Sequence, residues 1–188
     1  MLWKTTIDKN IKNVELRNNP VIIRVNRFDE KSATEFANKV AQAHNTGQKV
    51  IPVIIDSYGG QVYSLMSMIA SIKNSELPIA TIVEGKAMSC GVILFSCGTK
   101  GYRYMTEDAT LMIHDVSSGS WGKNSEIQAS AEETQRLNDK IYEILANNSK
   151  KSEAWFEKKL NRKGRADLFV DCDEAMRLGL ADHIGMPK

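Results

Sequence analysis

Short runs of β-branched and aliphatic residues alternate with amphipathic helical patterns through the first half of the sequence. The strand-like runs occupy residues 21–25, 50–55 and 79–83. Between them, apolar residues recur three and four positions apart over 32–44 and 62–72, and a short apolar helix follows the third strand and ends at Phe95. This order is typical of βαβ units with a mostly parallel sheet. The chain is therefore expected to adopt an α/β fold.

The second half of the sequence predicts two short strands, at 101–105 and 110–114, and then a long polar helix from Ser125 to about Asn148. The apolar stripe of that helix is thin, which favours packing against another subunit or projection from the body. A short helix at 173–178, a stop at Gly179 and a last strand near 182–184 complete the pattern. Capping boxes are predicted at Ser32 with Glu35 and at Ser125 with Gln128.

Length and composition restrict the class of protein. At roughly 150 residues per domain, 188 residues indicate one domain, here 21–188, preceded by an N-terminal arm at 1–20. The formal charge of +2 argues against a surface built for nucleic acid. No apolar run approaches a membrane span, no secretory leader is visible, and the three cysteines suit neither a disulfide framework nor a metal site. We expect a cytoplasmic protein without metal or cofactor.

The sharpest chemical signal is the heptapeptide GKAMSCG at 85–91, in which Ser89 follows a strand and begins a helix. Such a turn exposes the hydroxyl and directs free helical N–H groups at whatever the oxygen attacks. The arrangement is similar in logic to a nucleophile elbow, although the sequence is not Gly-x-Ser-x-Gly. A serine that merely caps the helix is the competing interpretation.

Two further features lie at the same predicted edge of the sheet. Gly59 and Gly60 form another strand-to-helix turn, so a backbone N–H there and that of Cys90 would suit an oxyanion hole. His114 ends a strand and offers a general base near neutral pH. His44 and His183 fit that role less well. The carboxylate that would orient the imidazole stays open, and the candidates are Asp108, Asp115, Asp167, Asp171, Asp173 and Asp182.

Several motifs in one order resemble the proteolytic subunit of the Clp protease, the ClpP family. They are DSYGG at 56–60, GKAMSCG at 85–91, MIH at 112–114 and the tail segment from Asp167 to Asp182. The intervals from Gly60 to Ser89 and from Ser89 to His114 match the family's spacing. The resemblance extends from about residue 21 to residue 184.

The resemblance implies Ser89 as nucleophile, His114 as general base and then acid, and Asp167 as the residue that orients His114. It also implies an oxyanion hole made by the N–H groups of Gly60 and Cys90. The implied fold is the crotonase-like fold of βαβ units with a long handle helix, at about 125–148. The implied protein is an endopeptidase of short or unfolded polypeptides in a homo-oligomeric chamber of heptameric rings, single or double, supplied by a Clp-type AAA+ ATPase. No nucleic acid or membrane partner is implied.

Departures from the family pattern leave several competing hypotheses open. Tyr58 stands where the family normally has proline, and Asp115 competes with Asp167 for His114. A Ser–Lys peptidase similar to signal-peptide peptidases would use Lys86 or Lys100, whose pKa would then have to be depressed by burial. An acyl-CoA-handling crotonase relative and a non-proteolytic ring subunit that modulates a partner also stay open, as does Cys90 in the role of nucleophile.

Overall fold

The strand-helix alternation predicted for the first half of the chain is present in the computed structural model, which describes residues 19–187 except 162–166. Most of the predicted N-terminal arm, residues 1–18, lies outside the described residues. The strands are β1 (Ile23–Val25), β2 (Ile51–Ser57), β3 (Ile79–Met88), β4 (Arg103–Met105), β5 (Thr110–Ile113), β6 (Leu168–Val170) and β7 (His183–Ile184). The helices are α1 (Glu30–His44), α2 (Val62–Lys73), α3 (Cys90–Ser96), α4 (Asn124–Asn147), α5 (Glu153–Asn161) and α6 (Cys172–Leu178).

Strand β3 is the branch point of the sheet. Its first half pairs in parallel with β4, through Thr81–Val83, and its second half pairs in parallel with β5, through 86–88. The main path runs β1-β2-β3-β4-β7, and all of these neighbours are parallel. Among the strands of the described residues, only β6 runs antiparallel, against β5. The chain therefore has the predicted mixed α/β fold with a mostly parallel sheet.

Helix α3 is the most deeply placed element, since all seven of its residues are buried. A helix that is apolar on every side belongs in a core, and the sequence of α3 has no polar face to present to water. The N-terminus of α3 is thereby held at a fixed point against β2, β3 and β5. Site residues proposed from the sequence lie around this N-terminus.

Helix α4 behaves differently along its length. Its buried residues all lie in its second half, from Leu137 to Leu145, whereas the first turns are exposed. The predicted thin stripe is thus confined to the part of α4 that packs on the body. Among the described residues, none of the helices combines the length and apolar character required to cross a bilayer.

The structure corrects several local predictions. Strand β3 continues through residues 85–88, which were expected to form a turn, because pairing with β5 extends the ladder. The cap of α1 is Asp29, whose carboxylate accepts from the Ser32 N–H at 2.7 Å, so Ser32 is the third helical residue and not the cap. Helix α4 begins one residue earlier than predicted, with Glu126 accepting from the Lys123 N–H at 3.0 Å. The sequence patterns did not predict α5 or β6.

Candidate active site

Ser89 occupies the single residue between the end of β3 and the start of α3. Its backbone has φ 54° and ψ −121°, a conformation that costs a residue with a side chain about 1–3 kcal/mol. The Ser89 N–H donates to the Met112 carbonyl of β5 at 2.9 Å, which anchors the turn to the neighbouring strand. Its hydroxyl makes no capping hydrogen bond to α3. The turn has the backbone form of a strained nucleophile elbow, and the cap interpretation is not supported.

The Gly59–Gly60 turn lies directly against Ser89. Gly59 has φ +110°, and a Cβ atom added there would stand 2.7 Å from Ser89 Cβ and 3.1 Å from Ser89 Oγ. Gly60 has φ +151°, and a Cβ atom there would stand 2.5 Å from the Phe28 carbonyl oxygen. Only glycine permits both the backbone conformation and the close approach. The space that a side chain at Gly59 would need is therefore already occupied by the Ser89 side chain.

Hydrogen bonds to the preceding segment, residues 26–28, and to Ser57 hold the glycine turn. The buried Ser57 hydroxyl accepts from the Gly59 N–H at 3.1 Å and donates to the Asn26 carbonyl at 2.8 Å. The Gln61 N–H donates to the Phe28 carbonyl at 2.8 Å. In the described part of the chain, the N–H groups of Gly60 and Cys90 donate to no backbone acceptor. Neither N–H is therefore used in the backbone hydrogen-bond pattern, which leaves both as candidate donors to a substrate oxygen. Sequence reasoning missed Ser57, although its position next to the glycine turn was a signal.

His114 follows β5 and shares a small cavity, of about 50 Å³, with Ser89 and Gly60. The remaining walls are five apolar residues and two polar ones: Val62, Ile93, Ile113, Val116 and Ile141, with Asp115 and Ser117. The parallel register pairs Met88 with Met112, so the residues that follow each strand end lie at the same edge. The structure thus brings three of the predicted site residues to one cavity. No hydrogen bond joins Ser89 to His114 in the described residues.

Asp167 lies on the other side of His114. The two residues line a neighbouring cavity of about 470 Å³. In the antiparallel pairing of β5 with β6, Ile113 faces Leu168, so one further step along the ladder puts His114 opposite Asp167. Directly opposed residues of an antiparallel pair have Cβ atoms about 4.5–5.5 Å apart. The structure describes no hydrogen bond between the Asp167 carboxylate and the His114 ring, and Asp167 is exposed.

Of the other five candidate carboxylates, three have partners of their own. Asp182 forms an ion pair with the buried Arg103 at 2.6 Å, and Asp171 caps α6 by accepting from the Glu174 N–H at 2.8 Å. Asp115, which also lines the cavity beside His114, accepts a hydrogen bond from the Tyr142 hydroxyl of α4. The last two, Asp108 and Asp173, are exposed and line neither cavity.

The other two histidines are engaged elsewhere in the fold. His44 Nδ1 lies 2.7 Å from the Val40 carbonyl oxygen, and its Nε2 accepts from the Glu76 N–H at 3.2 Å. His183 Nε2 lies 3.1 Å from the Gly101 carbonyl oxygen, and its ring centroid is 4.8 Å from that of Tyr104. Neither lines the cavity that contains Ser89. His114 is therefore the histidine placed to act on Ser89.

The alternative bases, Lys86 and Lys100, and the alternative nucleophile, Cys90, lie in environments that do not favour those roles. Lys86 Nζ lies 2.8 Å from Asp56 Oδ1, and the hydrogen bond to that carboxylate raises the pKa of Lys86, which is the opposite of what a lysine base needs. Lys100 is exposed and lines a separate cavity with Arg103. Burial raises the pKa of the Cys90 thiol to about 11, so little thiolate forms at neutral pH.

One comparison with known proteins bears on this site. A family model described as Clp protease matches residues 7–188, which is nearly the whole chain. The matched range contains all five residues proposed from the sequence for the site: Ser89, His114, Asp167, Gly60 and Cys90.

Proposed function

Since the chain belongs to the Clp protease family, which implies a serine-type peptidase, we propose that it is an endopeptidase of short or unfolded polypeptides. The observation that carries the proposal is the positive-φ backbone of Ser89, which places a serine whose hydroxyl does not cap α3 at a cavity shared with His114. Strain of this kind is retained where the surrounding structure enforces it, commonly at catalytic residues.

In the proposed mechanism, Ser89 Oγ attacks the scissile carbonyl carbon while His114 accepts the hydroxyl proton. The carbonyl oxygen becomes an oxyanion and accepts hydrogen bonds from the N–H groups of Gly60 and Cys90, both free of backbone acceptors. His114 then donates its proton to the leaving amine. A water molecule, activated by His114, attacks the acyl-serine and releases the second product. Asp167 orients the imidazole and stabilises its charged form.

The separation of the three side chains into two adjoining cavities is compatible with this mechanism. Catalytic hydrogen bonds are often long without substrate and shorten in the Michaelis complex. His114 lines both cavities, so a small rotation of its ring toward either partner changes both contacts together. Asp115 is held by the Tyr142 hydroxyl, which favours Asp167 over Asp115 as the orienting carboxylate.

We also propose that the chain works as a homo-oligomer of heptameric rings, single or double, in which a Clp-type AAA+ ATPase supplies unfolded substrate. The exposed first turns of α4 and nearby apolar side chains support contact with further subunits: Trp121 is 99% exposed and Ile127 is 44% exposed. Native mass measurement would give the ring size. Hydrolysis of a fluorogenic peptide and of an unfolded protein, with and without an added unfoldase, would test the role of the ATPase.

The central test is labelling by a fluorophosphonate, which phosphonylates an activated serine. We expect labelling at Ser89, absent in Ser89→Ala and reduced about 10³-fold or more in His114→Ala and Asp167→Asn, as in other triads. Asp171→Asn is the matched control, because Asp171 lies four residues away and only caps α6. Equal labelling of Asp167→Asn and the parent chain would contradict the role given to Asp167. Folded protein that neither labels nor hydrolyses peptides would favour a non-proteolytic ring subunit.

A further inference from the structure

The Cys90 side chain links the nucleophile turn to the glycine turn. Its Sγ donates to the Gly60 carbonyl oxygen at 3.3 Å, and the residue is only 2% exposed. Burial raises the pKa of the thiol to about 11, so it is protonated at neutral pH and able to donate. The contact therefore joins the side chain of one proposed oxyanion donor to the backbone of the other.

This hydrogen bond matters because it adds a side-chain contact to the backbone contacts that hold Gly60 against Phe28. Glycine has the greatest backbone freedom of any residue, and Gly60 carries no side chain to pack. The peptide that follows it is held at its nitrogen end, where the Gln61 N–H donates to the Phe28 carbonyl at 2.8 Å. The Cys90 thiol holds the oxygen end of that same peptide. With both ends of this peptide held, the backbone rotations at Gly60 that determine the direction of its N–H are restricted.

We propose that Cys90 is a positioning residue for the oxyanion hole: its S–H holds the Gly60 carbonyl and so aims the Gly60 N–H at the reacting carbonyl beside Ser89. The inference rests on the proposed peptidase function and goes beyond it, because it assigns a role to the side chain of a residue needed there only for its backbone N–H. The thiol acts through Gly60 and does not touch substrate.

Cys97, just beyond the opposite end of the same helix, provides a matched comparison. It follows the C-terminal end of α3, and burial raises the pKa of its thiol to about 11 as well. Its Sγ lies 3.5 Å from Asn148 Nδ2, and it has no contact with the glycine turn. Replacing either cysteine by alanine removes one sulfur atom, and so a similar volume, near α3. Only the Cys90 substitution removes the hydrogen bond to Gly60.

The test compares peptide hydrolysis by the full chain with that of Cys90→Ala, Cys90→Ser and Cys97→Ala. Deleting an oxyanion donor costs about 10²–10³-fold in kcat, so loosening one should cost less, about 5- to 20-fold, with KM nearly unchanged. The inhibition constant of a peptide aldehyde, whose hemiacetal oxygen occupies the oxyanion hole, should rise in step with the fall in kcat. Cys90→Ser keeps a donor and should recover most of the loss, and Cys97→Ala should keep the parent kcat.

A fall in kcat for Cys90→Ala that Cys90→Ser reverses would support the role. Three results would overturn it: an unchanged kcat in Cys90→Ala, an equal fall in Cys97→Ala, or a rise in KM that accounts for the whole loss. Absence of hydrolysis by the parent chain would overturn the proposed function and this role with it. Hydrolysis by the parent and Cys90→Ala at equal rates would overturn this role alone.

A spectroscopic measurement examines the hydrogen bond without relying on activity or on the folding of Cys90→Ala. In the Cys97→Ala/Cys172→Ala variant, Cys90 is the remaining thiol, so the Raman S–H stretching band reports on it alone. We expect the band at lower frequency in the folded chain than in the urea-unfolded chain, because donation weakens the S–H bond. A folded-state band at the frequency of a thiol without an acceptor would refute the contact on which the proposal depends.

Discussion

Because Gly59 lies against Ser89, adding one methyl group at position 59 should shift the proposed nucleophile. In Gly59→Ala, the new Cβ atom would stand 2.7 Å from Ser89 Cβ, whereas ordinary contact begins at 3.4 Å, so the two backbones must separate by about 0.7 Å. A misplacement of about 1 Å can cost roughly 10²-fold in rate. We expect fluorophosphonate labelling of Ser89 to slow by about 10- to 100-fold.

The same substitution also affects stability, and Gly101→Ala separates the two contributions. Gly101 has φ +85°, with no atom within 4 Å of an added Cβ, so alanine there carries the backbone penalty alone, about 1–2 kcal/mol. Gly59→Ala carries a comparable penalty plus the cost of overpacking, about 1–3 kcal/mol more. Urea unfolding of both variants measures the free energy of unfolding, and labelling is measured on the folded fraction.

Two results would refute the role given to Gly59. If folded Gly59→Ala labels as fast as the parent chain, the glycine turn does not set the position of the Ser89 hydroxyl. If Gly101→Ala loses labelling to the same degree, the effect comes from a general loss of stability. The expected pattern is a stability loss in both variants and a labelling loss in Gly59→Ala alone.

Three further substitutions examine other contacts. Lys86→Met should retain most of the peptidase activity, because the pKa of Lys86 is raised and the amine stays protonated; loss of all hydrolysis would instead favour a Ser–Lys mechanism. Asp182→Asn should lower the free energy of unfolding at pH 7 by about 3 kcal/mol, because it leaves the buried Arg103 without its anion. Burial opposes ionisation of Asp182, but the hydrogen bonds from Arg103 outweigh that effect and lower the pKa of Asp182. The parent chain should therefore lose stability as the pH falls below about 4, whereas Asp182→Asn should not. Parallel pH profiles of the two proteins would contradict the assignment. Tyr142→Phe should cost about 1–2 kcal/mol, since it removes the hydroxyl that Asp115 accepts from, and an unchanged urea midpoint would contradict that contact.

Local patterns were sufficient for much of the architecture. The βαβ order follows from residue periodicity, because an amphipathic helix or a buried strand shows its spacing in a short window. The position of Ser89 between a strand and an apolar helix was predictable for the same reason. The end of α6 at Gly179 was also predictable, and its φ of +76° is the left-handed conformation that glycine favours.

The local sequence patterns did not predict the long-range pairing of strands. Strand β6 has only three residues, and it becomes a strand by pairing with β5, more than 50 positions earlier in the chain. That pairing brings Asp167 to the cavity beside His114, which Asp115 also lines, whereas composition and local pattern could not choose among the aspartates. The continuation of β3 through residues 85–88 likewise depends on β5.

The sequence by itself determined the fold class, the turn that carries Ser89 and the set of candidate partners, since each depends on neighbours along the chain. Tertiary structure alone decided that Asp167 lies in a cavity with His114, how closely Gly59 approaches the serine and that the Cys90 thiol reaches Gly60. Those three facts join segments separated by tens of residues. Their distances are set by strand register and core packing, and no local spacing encodes them.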